Sequence, residues 1–179
     1  MTGCKMENSH FAPGQFVIET EYPDWENIKH IMIRSYVETT DYSDRTQNTC
    51  DINNISLGFN DFIIKKLHDN NIPIEEINAI HSWYIDYKPY GYQKVHNHTN
   101  EDSLISTVMY FEESDGSLVT LLGHTNTEVQ HIEINPTPGK LVILNGNVNH
   151  LTYPSANKRS VLVINFKARW KDDLTNEKV

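Results

Sequence analysis

The chain has 179 residues, of which 38% are hydrophobic and 22% charged, and its formal net charge is −9 at pH 7. This length holds one good-sized hydrophobic core and is short for two ordinary domains, so we expect residues 1–179 to form a single domain. The acidic balance argues against a duplex nucleic-acid binder, which needs clustered Lys and Arg, and no apolar run of about 18 residues is present to cross a membrane.

Residues 1–15 lack the apolar core of a signal peptide, and we therefore expect the protein to be cytoplasmic. Cys4 and Cys50 are too few for a disulfide scaffold and lack the spacing of metal ligands, so we expect unpaired thiols.

Residues 1–80 form a lead-in with helical character. A strand is expected at 16–20, followed by a helix within 24–39, where apolar residues recur at helical spacing. A second helix is expected over about 59–70, and the following Asn-Asn-Ile-Pro sequence ends it. The segment 40–54 is polar and rich in turn residues, and we predict that it is a mobile loop able to act as a lid.

From residue 81 to 170 the pattern changes to short strands separated by turn residues, with residues 171–179 as a tail. Eight strands after a helical lead-in predict a mainly β fold with N-terminal helices, in which a sandwich or barrel is braced by helices on one sheet. The predicted strands are 81–87, 92–96, 103–111, 117–122, 129–134, 140–144, 149–153 and 160–170.

Two histidines stand two positions apart at the end of a predicted strand. His96 and His98 point to the same face if the backbone is extended, so both imidazoles can reach one ion. The pair is also compatible with two surface histidines beside a turn. His150, on a later strand behind the Asn-Gly-Asn turn, is a third candidate ligand or a hydrogen-bonded histidine near a strand start.

Arg159 precedes the very apolar strand SVLVINF. An arginine that enters a buried strand is costly unless it meets an anion, and its planar fork suits two-point contact with a carboxylate. The pattern favours a carboxylate-bearing cosubstrate, and a salt bridge at a sheet edge is the alternative.

Over residues 81–170 the chain resembles the iron(II)/2-oxoglutarate-dependent dioxygenases, in particular the prolyl-4-hydroxylase-like branch with its small bacterial and phage members. That family orders a Tyr-x-x-Gly strand, His-x-Asp, a Tyr-bearing strand, a glycine turn, a Pro-x-x-Gly strand, a distal His and an Arg. Here the stretch Tyr87–Tyr92 leads into His96, and the corresponding later residues are Tyr110, Asp115-Gly116, Pro136–Gly139, His150 and Arg159.

The resemblance implies a double-stranded β-helix core of the jelly-roll, cupin-like kind. It implies Fe(II) at His96 and His150, and 2-oxoglutarate as cosubstrate, with its far carboxylate bound by Arg159 and Tyr110. No catalytic residue beyond the metal centre is implied. The expected activity is hydroxylation of a small molecule or peptide with decarboxylation of 2-oxoglutarate to succinate, and a homodimer is a reasonable assembly.

The chain departs from the family pattern at His98, which stands where the family has the aspartate of His-x-Asp. The resemblance then implies a facial site of three histidines, with one more unit of positive charge than the usual two-histidine, one-carboxylate site. His98 also fills the position that halogenating relatives leave open, so we do not expect halogenation. Alternatively, Asp102 supplies the carboxylate and His98 is not a ligand.

Two other functions fit the same residues. In a cupin, a three-histidine metal site acts without 2-oxoglutarate, which accounts for His98 and gives Arg159 no role. In a non-catalytic binding module the histidines are structural and no iron binds. The cupin match rests on Gly91, His96, His98, Asp102, Gly139 and His150, with Asn145 and Asn147 replacing the proline and second glycine of its second motif.

Overall fold

The structure is a computed structural model, and it describes residues 8–12, 14–34, 41–42, 45–49, 57–99, 105–123 and 128–171. Asp102, Cys4, Cys50 and the tail beyond residue 171 lie outside these ranges, so the structure does not address the predictions made for them. No helix in the described ranges is long and apolar enough to cross a membrane.

Within these ranges the chain forms two helices and twelve strands. The helices are α1 (Trp25–Arg34) and α2 (Leu57–Asp69). The strands are β1 (Asn8–Ala12), β2 (Gln15–Glu21), β3 (Asp41–Tyr42), β4 (Arg45–Thr49), β5 (Ile74–Tyr87), β6 (Gln93–His96), β7 (Ile105–Tyr110), β8 (Leu118–Gly123), β9 (Val129–Ile134), β10 (Lys140–Asn145), β11 (Asn149–Thr152) and β12 (Arg159–Trp170).

The strands pair into a major and a minor antiparallel sheet. The order of the major sheet is β1-β2-β10-β7-β12-β5-β4-β3, and that of the minor sheet is β6-β11-β8-β9. From β5 onward the chain passes repeatedly between the two sheets, and among these described strands β8 and β9 are the one consecutive pair that are neighbours. The predicted mainly β class with N-terminal helices is confirmed.

Each face of the major sheet packs against a different layer, as the residues of β12 illustrate. Its residues alternate: Leu162 and Ile164 belong to the core shared with the two helices, whereas Val161 and Val163 belong to the core shared with the minor sheet. A strand covered on both faces has to be apolar on both faces, which explains the run SVLVINF. The cavity described below lies in the second of these cores.

The N-terminal lead-in contributes more strands than the sequence predicted. Strand β5 begins at Ile74 rather than at 81, since its first half pairs with the second half of β12 and Ile74 and Ile77 pack with the helices. β2 pairs with β10 along the opposite side of the sheet. β3 and β4 fall inside the predicted lid segment and extend the sheet beyond β5, because backbone pairing at a sheet edge outweighs a polar composition.

Candidate metal centre

The three predicted metal ligands come together where β6 and β11 pair. His96 ends β6, His98 follows two residues later, and His150 lies on β11 directly opposite His96. One ring nitrogen from each histidine lies within 4.8 Å of the others. Two nitrogens bound to one ion at about 2.1 Å each are separated by about 3–4 Å, so small side-chain rotations bring all three onto one ion.

Backbone carbonyl groups orient two of the three imidazoles. The Nδ1 atom of His96 lies 2.9 Å from the carbonyl oxygen of Lys94, and that of His150 lies 2.9 Å from the carbonyl oxygen of Val148. Since a carbonyl only accepts hydrogen bonds, each Nδ1 carries the proton and each Nε2 presents a lone pair to the cluster. Consistently, the amide nitrogen of Gln93 lies 2.9 Å from Nε2 of His96.

The most buried histidine of the cluster, His150, is uncharged at physiological pH. His150 is 4% exposed, and burial, reinforced by the neighbouring His96, lowers the pKa of His150 to about 3. A histidine must be unprotonated to bind a metal, so no proton has to be displaced from an imidazolium there at pH 7. The donor set of three neutral imidazoles suits a divalent transition metal such as iron or zinc.

The histidines close one end of a cavity between the two sheets. Among the described residues that line it there is no Asp, Glu, Lys or Arg, so those residues add no fixed charge to its wall. The lining residues are Trp83, Ile85, Tyr87, Gln93, His96, Asn97, His98, Val108, Tyr110, Leu118, His150, Thr152, Val161 and Val163.

Tyr110, the predicted cosubstrate contact, lines this cavity on β7. Burial raises the pKa of the Tyr110 hydroxyl well above its usual range, and the nearby Tyr87 reinforces the effect. Tyr110 is therefore a neutral hydrogen-bond donor at any physiological pH. Tyr87 also lines the cavity, and its hydroxyl donates to the side-chain oxygen of Gln93 at 3.0 Å.

Arg159, the other predicted cosubstrate contact, lies behind the cavity wall. Its side chain is 1% exposed, with the guanidinium 4.6 Å from the ring centre of Tyr87. Its nitrogens donate to the carbonyl oxygens of Gly116 at 2.6 Å, Tyr153 at 2.7 Å and Gly91 at 3.2 Å.

Burial lowers the pKa of Arg159, although not enough to discharge a guanidinium. Its Nε atom has no hydrogen-bond partner in the described part of the chain. The guanidinium hydrogen-bonds to carbonyl groups, and the nearby carboxylate of Asp115 favours its charged form.

Three polar residues of the site did not emerge from the sequence. Gln93 contacts His96, and Asn165 contacts His98 while itself bonded to Ser106. The sequence does contain a clue to Asn165, because this polar residue interrupts an apolar strand and strand alternation places it on the same face as Val161 and Val163. Gln93 and Ser106 are ordinary strand residues until the pairing of the strands is known.

No protein-family model and no curated protein matches the sequence. Solved structures do match the fold. A 2OG-Fe(II) oxygenase family oxidoreductase from Burkholderia pseudomallei is 14% identical, with a TM-score of 0.65 over 84% of this chain and 84% of that chain. A prolyl-4-hydroxylase from Pseudomonas putida is 18% identical, with a TM-score of 0.54 over 70% and 72%.

HygX from Streptomyces hygroscopicus, solved with nickel, 2-oxoglutarate and hygromycin B bound, is 11% identical, with a TM-score of 0.62 over 86% of this chain and 82% of that chain. At these identities the likeness establishes the fold alone. The chain thus has the jelly-roll, double-stranded β-helix fold of 2-oxoglutarate oxygenases, as the sequence resemblance predicted, and it places three histidines where a metal can bind.

Proposed function

We propose that this chain is an Fe(II)- and 2-oxoglutarate-dependent oxygenase that hydroxylates a small-molecule or peptide substrate. The observation that carries the proposal is the convergence of His96, His98 and His150 at one end of a cavity, in a fold that known 2-oxoglutarate oxygenases share. The overall reaction would convert a substrate C–H bond, O2 and 2-oxoglutarate into a substrate C–OH bond, succinate and CO2. Bound iron would supply the activation of O2 in this reaction.

The charge of the site supports a dianionic cosubstrate. Three neutral histidines leave both charges of a divalent ion uncompensated, and the cavity wall adds no carboxylate among its described residues. Because isolated charge is costly in a buried site, a ligand with two negative charges is favoured there. 2-Oxoglutarate carries two carboxylates and would neutralise the centre.

Tyr110 and Arg159 would receive the carboxylate that lies far from the metal. Tyr110 lines the cavity and its hydroxyl stays protonated, so it would donate a hydrogen bond to an anion bound there. Arg159 lies against the ring of Tyr87 and would contribute its positive charge beside that residue, with direct contact to the carboxylate after its side chain rotates away from a carbonyl partner.

The test is anaerobic addition of Fe(II) and then 2-oxoglutarate, while the visible charge-transfer band of the chelated complex is recorded. The proposal expects a band that needs both additions and that weakens in Tyr110→Phe and in Arg159→Lys. Circular dichroism of each variant separates a lost contact from a lost fold. Fe(II) binding without any band would contradict the cosubstrate.

The position of Arg159 favours a second candidate, a three-histidine metal protein of the cupin kind that acts without 2-oxoglutarate. The guanidinium already has three carbonyl partners and is not part of the cavity wall, as expected if its role is structural. Iron binding that is indifferent to 2-oxoglutarate would favour this candidate, and no metal binding at all would leave a binding module.

A further inference from the structure

The three histidines of the site do not have equivalent partners. The Nδ1 atoms of His96 and His150 face backbone carbonyl groups, whereas Nδ1 of His98 lies 3.0 Å from the side-chain amide nitrogen of Asn165. A backbone carbonyl accepts and never donates, so it fixes one tautomer of the ring. A side-chain amide has a donor at one end and an acceptor at the other, and so can serve either tautomer.

A second buried side chain holds Asn165 in place. Ser106 on β7 lies directly opposite Asn165 on β12, and its hydroxyl donates to the amide oxygen of Asn165 at 2.7 Å. Both side chains are fully buried, at 0% exposure. Burying a side-chain amide destabilises the fold unless its hydrogen bonds are satisfied. The amide of Asn165 is hydrogen-bonded to Ser106 on one side and to the candidate metal ligand His98 on the other.

The direction of these bonds fixes the proton on His98. Since the Asn165 amide donates to Nδ1, the proton of the neutral His98 ring is on Nε2, which lies 3.3 Å from Nε2 of His150. An ion bound at Nε2 of His98 requires the other tautomer, with the proton on Nδ1. The amide must then turn end for end, so that its oxygen accepts from Nδ1. The Ser106 hydroxyl can accept as well as donate, so it remains paired in both arrangements.

We propose that Asn165, held by Ser106, is a positioning residue that sets the tautomer of His98 and makes it a conditional third ligand, while His96 and His150 are fixed ligands. The inference rests on metal binding at the three histidines, as in the proposed function. The step moves one proton from Nε2 to Nδ1 of the same ring and rotates one amide, so the charge of His98 does not change.

The direct test is long-range 1H–15N NMR of the histidine rings, recorded with a chelator present and then with Zn(II), which is diamagnetic. We expect His96 and His150 to carry the proton on Nδ1 under both conditions. His98 should carry it on Nε2 with chelator and on Nδ1 with Zn(II). A His98 ring already protonated on Nδ1 with chelator present, or one that does not change on binding Zn(II), would overturn the inference.

Two variants of Asn165 sharpen the test. In Asn165→Asp the side chain only accepts, so His98 should carry its proton on Nδ1 even without Zn(II), and Zn(II) affinity should be retained. In Asn165→Leu the ring loses this amide, and affinity should fall by about 10–100-fold, as for other residues that orient a ligand. Equal affinity in both variants, each shown to be folded by circular dichroism, would contradict a positioning role.

The experiment also separates this inference from the proposed function, because Zn(II) binding and ring tautomers require neither O2 nor 2-oxoglutarate. Zn(II) binding without the change at His98 would overturn only the role of Asn165. Absence of Zn(II) binding would overturn both.

Discussion

His96 and His150 stand directly opposite each other in the β6–β11 pair, with their ring centres 4.2 Å apart. They are 54 positions apart along the chain (150 − 96), so the pairing of the minor sheet alone brings them into contact. Directly opposed residues of an antiparallel pair project from the same face, which turns both rings toward the cavity. Two of the three candidate ligands are thus placed by backbone pairing, and the third by the turn after β6.

This placement predicts how metal binding depends on each histidine. His96→Ala and His150→Ala should each lower Co(II) affinity by more than the roughly 10–100-fold that loss of a supporting partner costs, since each removes a ligand atom. Visible absorption of bound Co(II) measures the affinity. His131→Ala, which alters an exposed histidine on β9, is the matched control and should bind normally. Equal affinity across all three variants would contradict the assigned site.

The buried state of His150 predicts a pH-dependent stability. Its pKa is about 3 in the folded protein, below the 6.5 of an exposed histidine, so between these values only the unfolded chain binds the proton. With a chelator present, the free energy of unfolding should fall as pH drops from 6.5 toward 3, by at most about 1.4 kcal/mol per unit from this group. Urea unfolding of the wild type and His150→Gln checks the sign. An identical pH slope in both proteins would refute the contribution.

The close packing of Arg159 against Gly116 predicts that no larger residue fits at position 116 without loss of stability. A Cβ atom added at Gly116 would overlap a terminal nitrogen of Arg159 and lie 2.7 Å from the carbonyl oxygen of Tyr153. Gly116→Ala should therefore lower the free energy of unfolding by about 1–3 kcal/mol, the usual cost of overpacking. Gly123→Ala is the matched control, because nothing lies within 4 Å of its added Cβ. Urea unfolding compares the two, and equal stability would show that Arg159 moves aside easily.

The place of Tyr110 in the cavity wall predicts that its hydroxyl contacts the cosubstrate. If its hydroxyl donates to a carboxylate, Tyr110→Phe removes a hydrogen bond worth about 1.5–3 kcal/mol, which corresponds to about 10–100-fold weaker 2-oxoglutarate binding. Titration of the Fe(II) protein with 2-oxoglutarate measures the change. Tyr92→Phe, on an exposed side chain outside the cavity wall, should leave the affinity unchanged. An unaltered affinity in Tyr110→Phe would remove Tyr110 from the proposed site.

Much of the fold was predictable because hydrophobic alternation and turn residues report local structure. Each of the eight strands predicted after residue 80 corresponds to an observed strand, and both helices were expected. The first half of β5 and the polar strand β4 were missed, since their stability comes from pairing with strands distant in sequence. Local composition does not record such a pairing.

The site was predictable to the extent that its residues follow a spacing rule. Strand alternation and the family order proposed His96, His98 and His150 as candidate ligands, and the structure brings them together. The partners that orient them were not, because Lys94 and Val148 act through backbone carbonyls that any residue provides. The surroundings of Arg159 were also missed, because they consist of backbone oxygens from three separate turns.

Strand β12 begins at Arg159 and carries Asn165 near its middle, on the same inner face. Six residues of extended chain separate them by about 20 Å. A one-residue insertion between them would turn every later side chain to the opposite face and move Asn165 into the helical core. Arg159 and Asn165 can therefore both face the cavity side only if an even number of positions separates them along β12. We therefore expect proteins related to this chain to differ in this part of β12 by substitutions and not by single-residue insertions or deletions.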